Sequence, residues 1–253
     1  MSRWFPDGLL LRLGDDTRPA TLESMLASFE TELDRRAARP GTRLTCLVGG
    51  GAVRYRVVPW REALSSPSER QAFAAHCFQE AYGDGARGWN VRQHTTRYGR
   101  ATLASAIDGA LLDRLEALAL ARRLRLVSVQ PSLMHAFNVR RHGIGRGLFW
   151  FVWIEAHWIT ALLVTALEPL HVKQLPSSHA DAASLLAREW FALGMEATPC
   201  PAYMARAALA TPAAPSQVDP ATRLQWPLIE LTAVDDESPM AGPRAAADLS
   251  QAA

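Results

Sequence analysis

Gly147-Leu-Phe-Trp-Phe-Val-Trp-Ile-Glu-Ala-His-Trp-Ile-Thr-Ala-Leu-Leu-Val164 concentrates more apolar and aromatic side chain than any other stretch of the chain. Its length is that of a membrane-spanning helix, but Glu155, His157 and Thr160 interrupt it where a bilayer makes polar and ionisable groups costly. Phe149, Trp150, Val152, Trp153 and Ile154 are aromatic or β-branched, and Ile159 to Val164 resumes the run after one polar break. That pattern predicts two strands joined by a tight turn. Both are apolar at nearly every position, as strands covered on two faces are, so the flanking chain is expected to supply helices.

Working outward, 253 residues suffice for one large domain or two lobes, and 49% hydrophobic with 21% charged residues is an ordinary globular composition. The formal net charge of +2, with basic residues scattered except at Arg140, Arg141, His142 and Arg146, gives no nucleic-acid footprint. That small cluster reads as a solvated loop. Cys46, Cys77 and Cys200 fit neither a zinc knuckle nor a disulfide framework, which favours a reducing cytoplasm. No secretory signal is recognisable from Met1 to Leu13.

Leu9 to Leu13 reads as a strand ending at the turn Gly14-Asp15-Asp16. Leu22, Met25, Leu26, Phe29 and Leu33 form the apolar stripe of a helix ending near Pro40. Leu44 to Val48 and Val53 to Val58, around Gly49-Gly50-Gly51, read as a hairpin. Ser66-Pro67-Ser68-Glu69 is a capping box with proline at the first helical position, opening a helix with Phe73, Cys77, Phe78 and Ala81 inward. Glycines at 83 and 85 end it. Trp89 to Arg92 and Ala101 to Ile107 predict two strands, and Asp108 caps a helix bearing Leu111, Leu115, Leu118 and Ala119. A strand from Leu124 to Val129 is followed by a short helix with Leu133, Met134 and Phe137 inward. After the aromatic hairpin, Leu170 to Leu175 adds a strand, and Ala183, Leu186, Trp190 and Leu193 mark a helix stopping at Gly194. Regular structure is expected to end soon afterwards. From Thr211 the chain is rich in Pro, Ala, Ser and Asp, so residues 211–253 read as a mostly disordered tail in which Leu224 to Leu231 alone is apolar enough to dock.

Candidate chemistry is sparse. Gly49-Gly50-Gly51 is followed by a strand and by no Lys-Ser/Thr pair, so it reads as a hairpin turn, not a phosphate cradle. Cys77 beside His76 has no base-and-orienter arrangement and reads as a buried structural thiol. His135, His142, His157, His171 and His179 lack a paired metal-ligand spacing. Glu155 and His157 sit at a turn and read as a solvated pair.

The order of elements resembles the two-lobed actin-like fold, whose RNase H-like lobes each open with a meander. Leu47 to Trp60 with Arg54-Tyr55 and Val58-Pro59-Trp60, the capped helix reaching Phe78 and Tyr82-Gly83, and Leu126-Val127-Ser128-Val129-Gln130-Pro131 with Phe137-Asn138 look like the cytoplasmic actin-like proteins of type IV pilus and type II secretion platforms, the PilM and GspL kind. The similarity runs from about Leu9 to Leu193. It implies an α/β, mixed-sheet fold with a first lobe over 1–143, an abbreviated second lobe over 144–210 and the tail over 211–253. It also implies a protein held at the cytoplasmic face of the inner membrane by a segment of an inner-membrane platform partner. A second copy of the chain is a further candidate partner. Arg54, Tyr55, Pro59 and Trp60 are the residues the resemblance offers for that contact.

In that family two glycine-containing acidic loops embrace nucleotide phosphates. Here the first reads Leu13-Gly14-Asp15-Asp16-Thr17, without an aspartate before the glycine. The second reads Ile154-Glu155-Ala156-His157-Trp158, with bulky residues where backbone amides have to approach phosphate closely. No cofactor is therefore expected. Under the alternative of a working ATPase, Gly14, Asp15, Thr17 and Glu155 would meet Mg-ATP. An unrelated α/β hydrolase or transferase would need a nucleophile elbow or triad, and none is recognisable.

Overall fold

The computed structural model describes residues 8–13, 21–93, 98–165, 168–177, 182–195, 199–207 and 226–231. Its centre is the aromatic hairpin: β7 (Leu148–Ile154) and β8 (Trp158–Thr165) pair antiparallel, with Leu148 opposite Thr165 and Ile154 opposite Ile159. Side chains alternate across a strand. Phe149, Phe151 and Trp153 accordingly enter one core, while Trp150, Val152 and Ile154 enter another on the opposite face. β9 (Glu168–Pro176) pairs antiparallel with β8, as expected of a third strand.

The chain does not lose regular structure after Gly194. β10 (Ala202–Arg206) lies parallel to β7 and β11 (Leu228–Glu230) parallel to β10, which completes a five-stranded sheet in the order β11-β10-β7-β8-β9. Ala-Tyr-Met-Ala-Arg carries little β-propensity, and it is ordered by the partner strand it finds on β7. α5 (Ala182–Ala192) covers one face with Leu185, Leu186 and Trp190. Trp226 meets Trp190 edge to face, ring centroids 5.4 Å apart, and so pins the start of the last strand.

A second sheet holds β1 (Gly8–Leu13), β2 (Arg43–Val48) and β6 (Arg125–Pro131) in the order β1-β2-β6, all parallel. α1 (Leu22–Arg35), opened by a Thr21/Ser24 capping box, buries Met25, Leu26, Phe29 and Leu33 on it. One expectation fails here. β2 and β3 (Val53–Val58) do not form a hairpin: β2 already has β1 on one edge and β6 on the other, so no edge is free for β3. Instead β3 belongs to a third, antiparallel sheet β3-β5-β4 with β4 (Trp89–Gln93) and β5 (Thr102–Asp108), and Gly49-Gly50-Gly51 is a crossing between sheets.

α2 (Pro67–Tyr82) has the expected capping box, Ser66 Oγ accepting from the Glu69 amide and the Glu69 carboxylate accepting from the Ser66 amide, and stops at Gly83 with φ of 67°. Its inward stripe is Ala74, Cys77 and Phe78; Ala81, expected inward, is exposed. The Asp108 carboxylate accepts from the Ala110 amide at 2.9 Å and caps α3 (Gly109–Ala121), which buries Leu111, Leu115 and Ala119. α4 (Ser132–Arg140) buries Leu133 as expected, but also Ser132, His135, Ala136 and Arg140, while Met134 and Phe137 are half-buried. Arg140 is thus no part of a solvated loop; Arg141, His142 and Arg146 are exposed. One core cluster runs through all three sheets, from Leu11, Phe29 and Leu44 through Tyr55 and Ile107 to Phe149, Phe151 and Trp153. Among the described residues no helix is long and apolar enough to cross a membrane.

Two outcomes follow from this packing. Truncating Trp226→Ala removes a buried aromatic from the α5 face and is expected to lower unfolding free energy by about 3 kcal/mol in a urea titration. All three cysteines are buried, and burial pushes the Cys46 thiol up to about 12. A thiol reagent at neutral pH should therefore label the native chain slowly and the denatured chain at three positions.

Candidate functional site

Three sequence-distant points meet at the carboxyl ends of the parallel strands. The Gly49 amide donates to the Leu13 carbonyl at 2.8 Å, which sets the end of β2 beside the end of β1. Glu155 follows directly on β7, and its carboxylate reaches both neighbours. Oε2 accepts from the Gly50 amide at 2.8 Å, just past β2, and Oε1 accepts from Ser132 Oγ at 2.6 Å, the first residue of α4 past β6. In open α/β sheets the crevice outside the carboxyl ends of strands is the usual ligand position, and a helix N-terminus there favours an anion. In this chain the anion beside that helix end is the protein's own carboxylate.

The expectation of a solvated Glu155 is therefore overturned: it is 2% exposed. A carboxylate can be buried when charge-assisted hydrogen bonds replace its water, and the glycine amide and the serine hydroxyl do that here. Ser132 Oγ also accepts from the Trp153 indole at 3.3 Å, and two guanidiniums lie against the Trp153 ring, Arg12 at 5.2 Å and Arg140 at 5.4 Å from its centroid. Burial pushes the Tyr55 hydroxyl well above its ordinary ionisation range, and the nearby charge of Glu155 pushes it further the same way.

The glycine loop is held from the other sides as well. Arg54 donates to the carbonyls of Gly50 and Gly51 at 3.1 and 3.2 Å while its guanidinium lies 5.5 Å over the Trp158 ring. Gln174 of β9 donates to the Gly50 carbonyl at 3.0 Å. A β-carbon at position 50 would come within 2.8 Å of Glu155 Oε2 and of Trp158 Cβ, so glycine is required there for close approach, not for a turn.

Of the residues offered for nucleotide, Glu155 lies in this cluster, and Gly14, Asp15 and Thr17 lie outside the described residues. Of those offered for partner contact, Tyr55 is 6% exposed and faces the core, so it cannot serve as a contact surface. Arg54 is spent on the glycine loop. Pro59 is exposed and Trp60 half-buried, its ring 4.9 Å from that of Tyr98 in an edge-on arrangement. Gly50, Ser132 and Trp158 were not predictable as members of one site. Ser132 is 23 positions and Gly50 105 positions from Glu155, and no local pattern marks the bonds between them.

The other histidine and cysteine pairings lie away from this cluster. His76 is exposed and the adjacent Cys77 buried, with burial raising its thiol. His171 makes a 3.0 Å hydrogen bond to the buried Glu189 on the far side of the five-stranded sheet. Among the described residues no group of three or more His, Cys, Asp and Glu side chains is placed to hold a metal ion.

No protein-family model matches the sequence, and no curated protein matches it. Solved structures do. A chain of the PilM-PilN type IV pilus biogenesis complex superposes with a TM-score of 0.55 at 16% identity, covering 81% of this chain and 74% of that one. The cytoplasmic domain of EpsL, an inner-membrane component of the type II secretion system of Vibrio cholerae, gives 0.54 at 10% identity, covering 90% of each chain. A protein of unknown function with an actin-like ATPase fold from Bacteroides thetaiotaomicron gives 0.50 at 10% identity, covering 79% and 80%. The chain thus has the actin-like fold, as its order of elements had implied, with the mixed five-stranded sheet of its second half as the more complete of its sheets.

Proposed function

We propose that this protein is a non-catalytic scaffold of a type IV pilus or type II secretion-like assembly platform. It would lie on the cytoplasmic side of the inner membrane and bind a segment of an inner-membrane component. Shared fold with a chain of the PilM-PilN complex and with the EpsL cytoplasmic domain supports the setting. The observation that carries the absence of nucleotide chemistry is the carboxylate of Glu155, bonded to Gly50 and Ser132 in the crevice.

A polyphosphate entering that crevice meets a buried negative charge at hydrogen-bond distance from the amide it would need. Repulsion between like charges is strongest where water is excluded. Displacing Glu155 would in turn leave the Gly50 amide and the Ser132 hydroxyl without this acceptor, a change that costs about 1–3 kcal/mol for each buried donor left unsatisfied. Trp158 adds bulk against the same glycine. The partner then has to dock elsewhere, and exposed Pro59 with half-buried Trp60 is what remains of the predicted contact.

The rival reading is an active ATPase of the same fold, in which Glu155 would meet the nucleotide in this crevice. Calorimetry separates the two. Mg-ATP up to low millimolar concentration should give no saturable heat, and Mg-ATP should not raise the melting temperature. Saturable binding with phosphate release that Asp15→Ala or Glu155→Ala abolishes would establish the ATPase instead. The closed crevice also makes a stability statement. Gly50→Ala should cost about 1–3 kcal/mol by overpacking against Glu155 and Trp158, and Glu155→Ala about 2–3 kcal/mol through the two donors left without an acceptor, both read from urea unfolding.

A further inference from the structure

At the end of the small sheet, between the carboxyl end of β3 and the start of α2, a shallow depression is lined by Trp60, Arg61, Leu64, Arg70, Phe73 and Arg100, with no acidic side chain among the described residues of its lining. Its enclosed volume of about 20 Å³ holds little more than a water molecule, so it cannot take a small-molecule ligand. As a surface it has a definite chemistry. The Arg61 guanidinium lies 5.9 Å over the Phe73 ring, which fixes a cation at the rim without neutralising it. Arg70 is anchored by one nitrogen to the carbonyls of Leu64 and Ser65, both at 3.2 Å, and carbonyl bonds leave its charge in place. Arg100 makes a 3.3 Å ion pair with Glu168, whose other carboxylate oxygen accepts from the Ala101 amide at 3.0 Å; both side chains are partly exposed, so the pair itself is of small net worth. The nearby acid Glu69 is committed to the amides of Ser65 and Ser66 at the helix cap.

We propose that this surface is the docking site for an acidic linear segment of another protein, carboxylates set against Arg61, Arg70 and Arg100 and an apolar side chain laid on Trp60 and Phe73. The inference rests on the scaffold reading and gives its partner segment a chemistry. Charge complementarity selects the occupant: three cations converge with aromatic faces between them, and among the described residues the lining itself holds no acid, Glu168 reaching it only through Arg100. A basic segment, the kind that usually flanks a membrane span on the cytoplasmic side, is disfavoured by the same three charges.

The test uses the full chain and three fluorescein-labelled peptides of the repeating sequence Asp-Leu-Glu, Asn-Leu-Gln and Lys-Leu-Lys, each of about twelve residues, followed by anisotropy. The acidic peptide should bind, with affinity falling roughly tenfold between low and high salt, and the neutral and basic peptides should bind at least tenfold more weakly. Arg61→Ala and Arg100→Ala should each weaken the acidic peptide about threefold or more, while Arg87→Ala, an exposed arginine outside the depression, should not. An unchanged melting temperature in each variant excludes unfolding as the cause. Equal binding of neutral and acidic peptides, or undiminished binding by the arginine variants, overturns the proposal. Concentration-dependent self-association that disappears on removing residues 232–253, which include Asp235, Asp236 and Glu237, would give the surface to a second copy and overturn the choice of occupant. Capture of a platform component by a chain that ignores all three peptides would leave the scaffold reading standing and remove this one.

Discussion

A strand that is apolar on both faces cannot lie at a surface, and β7 imposes that constraint on everything around it. Trp150, Val152 and Ile154 demand a cover on one side, supplied by α5; Phe149, Phe151 and Trp153 demand one on the other, where α4 and the β1-β2-β6 sheet supply it. Phe137 of α4 meets Phe151 edge to face at 5.2 Å. Because β7 needs strand partners on both edges as well, β8 and β10 are recruited from opposite directions in sequence, one antiparallel and one parallel. The carboxyl end of a strand so enclosed is itself enclosed, and Glu155 occupies that end.

This explains why a glutamate side chain sits in the middle of the molecule. Nothing in a Glu-Ala-His turn predicts burial, and the usual fate of such a turn is solvent. Here Glu155 is fixed by a glycine amide and a serine hydroxyl that arrive on two other strands, and the aromatic strand behind it excludes water. The buried charge, the missing β-carbon at Gly50 and the anchoring of Arg54 on the loop carbonyls are parts of one closure, in which each group satisfies another.

Most single elements were legible in the sequence because their signals are local. The capping box at Ser66, the stripe of Met25, Leu26, Phe29 and Leu33, the Asp108 cap and the two apolar runs around Glu155 each lie within a few residues. What failed was pairing. A triple glycine between two strand-like runs is a hairpin by every short-range rule, and only the occupancy of both edges of β2 forbids it. β10 escaped notice because Ala202 to Arg206 has no β-rich composition and is made a strand by its neighbour. The candidate site suffered in the same way: Tyr55 looks like a surface aromatic until the face of β3 it occupies is known, and the bonds from Glu155 join residues with no sequence relation.

The small sheet leaves β2 at Gly49 and rejoins the β1-β2-β6 layer through α3, and its first and last strands lie side by side with Val53 opposite Ile107. Its two ends are therefore only about 5 Å apart, the spacing of paired residues in an antiparallel ladder. A unit whose ends nearly touch can lengthen, shrink or change its outer surface without moving the layer that carries it. The outer surface of residues 53–108 can thus be altered while the enclosed carboxylate and the aromatic strand keep the same frame, as a graft can be changed on one stock.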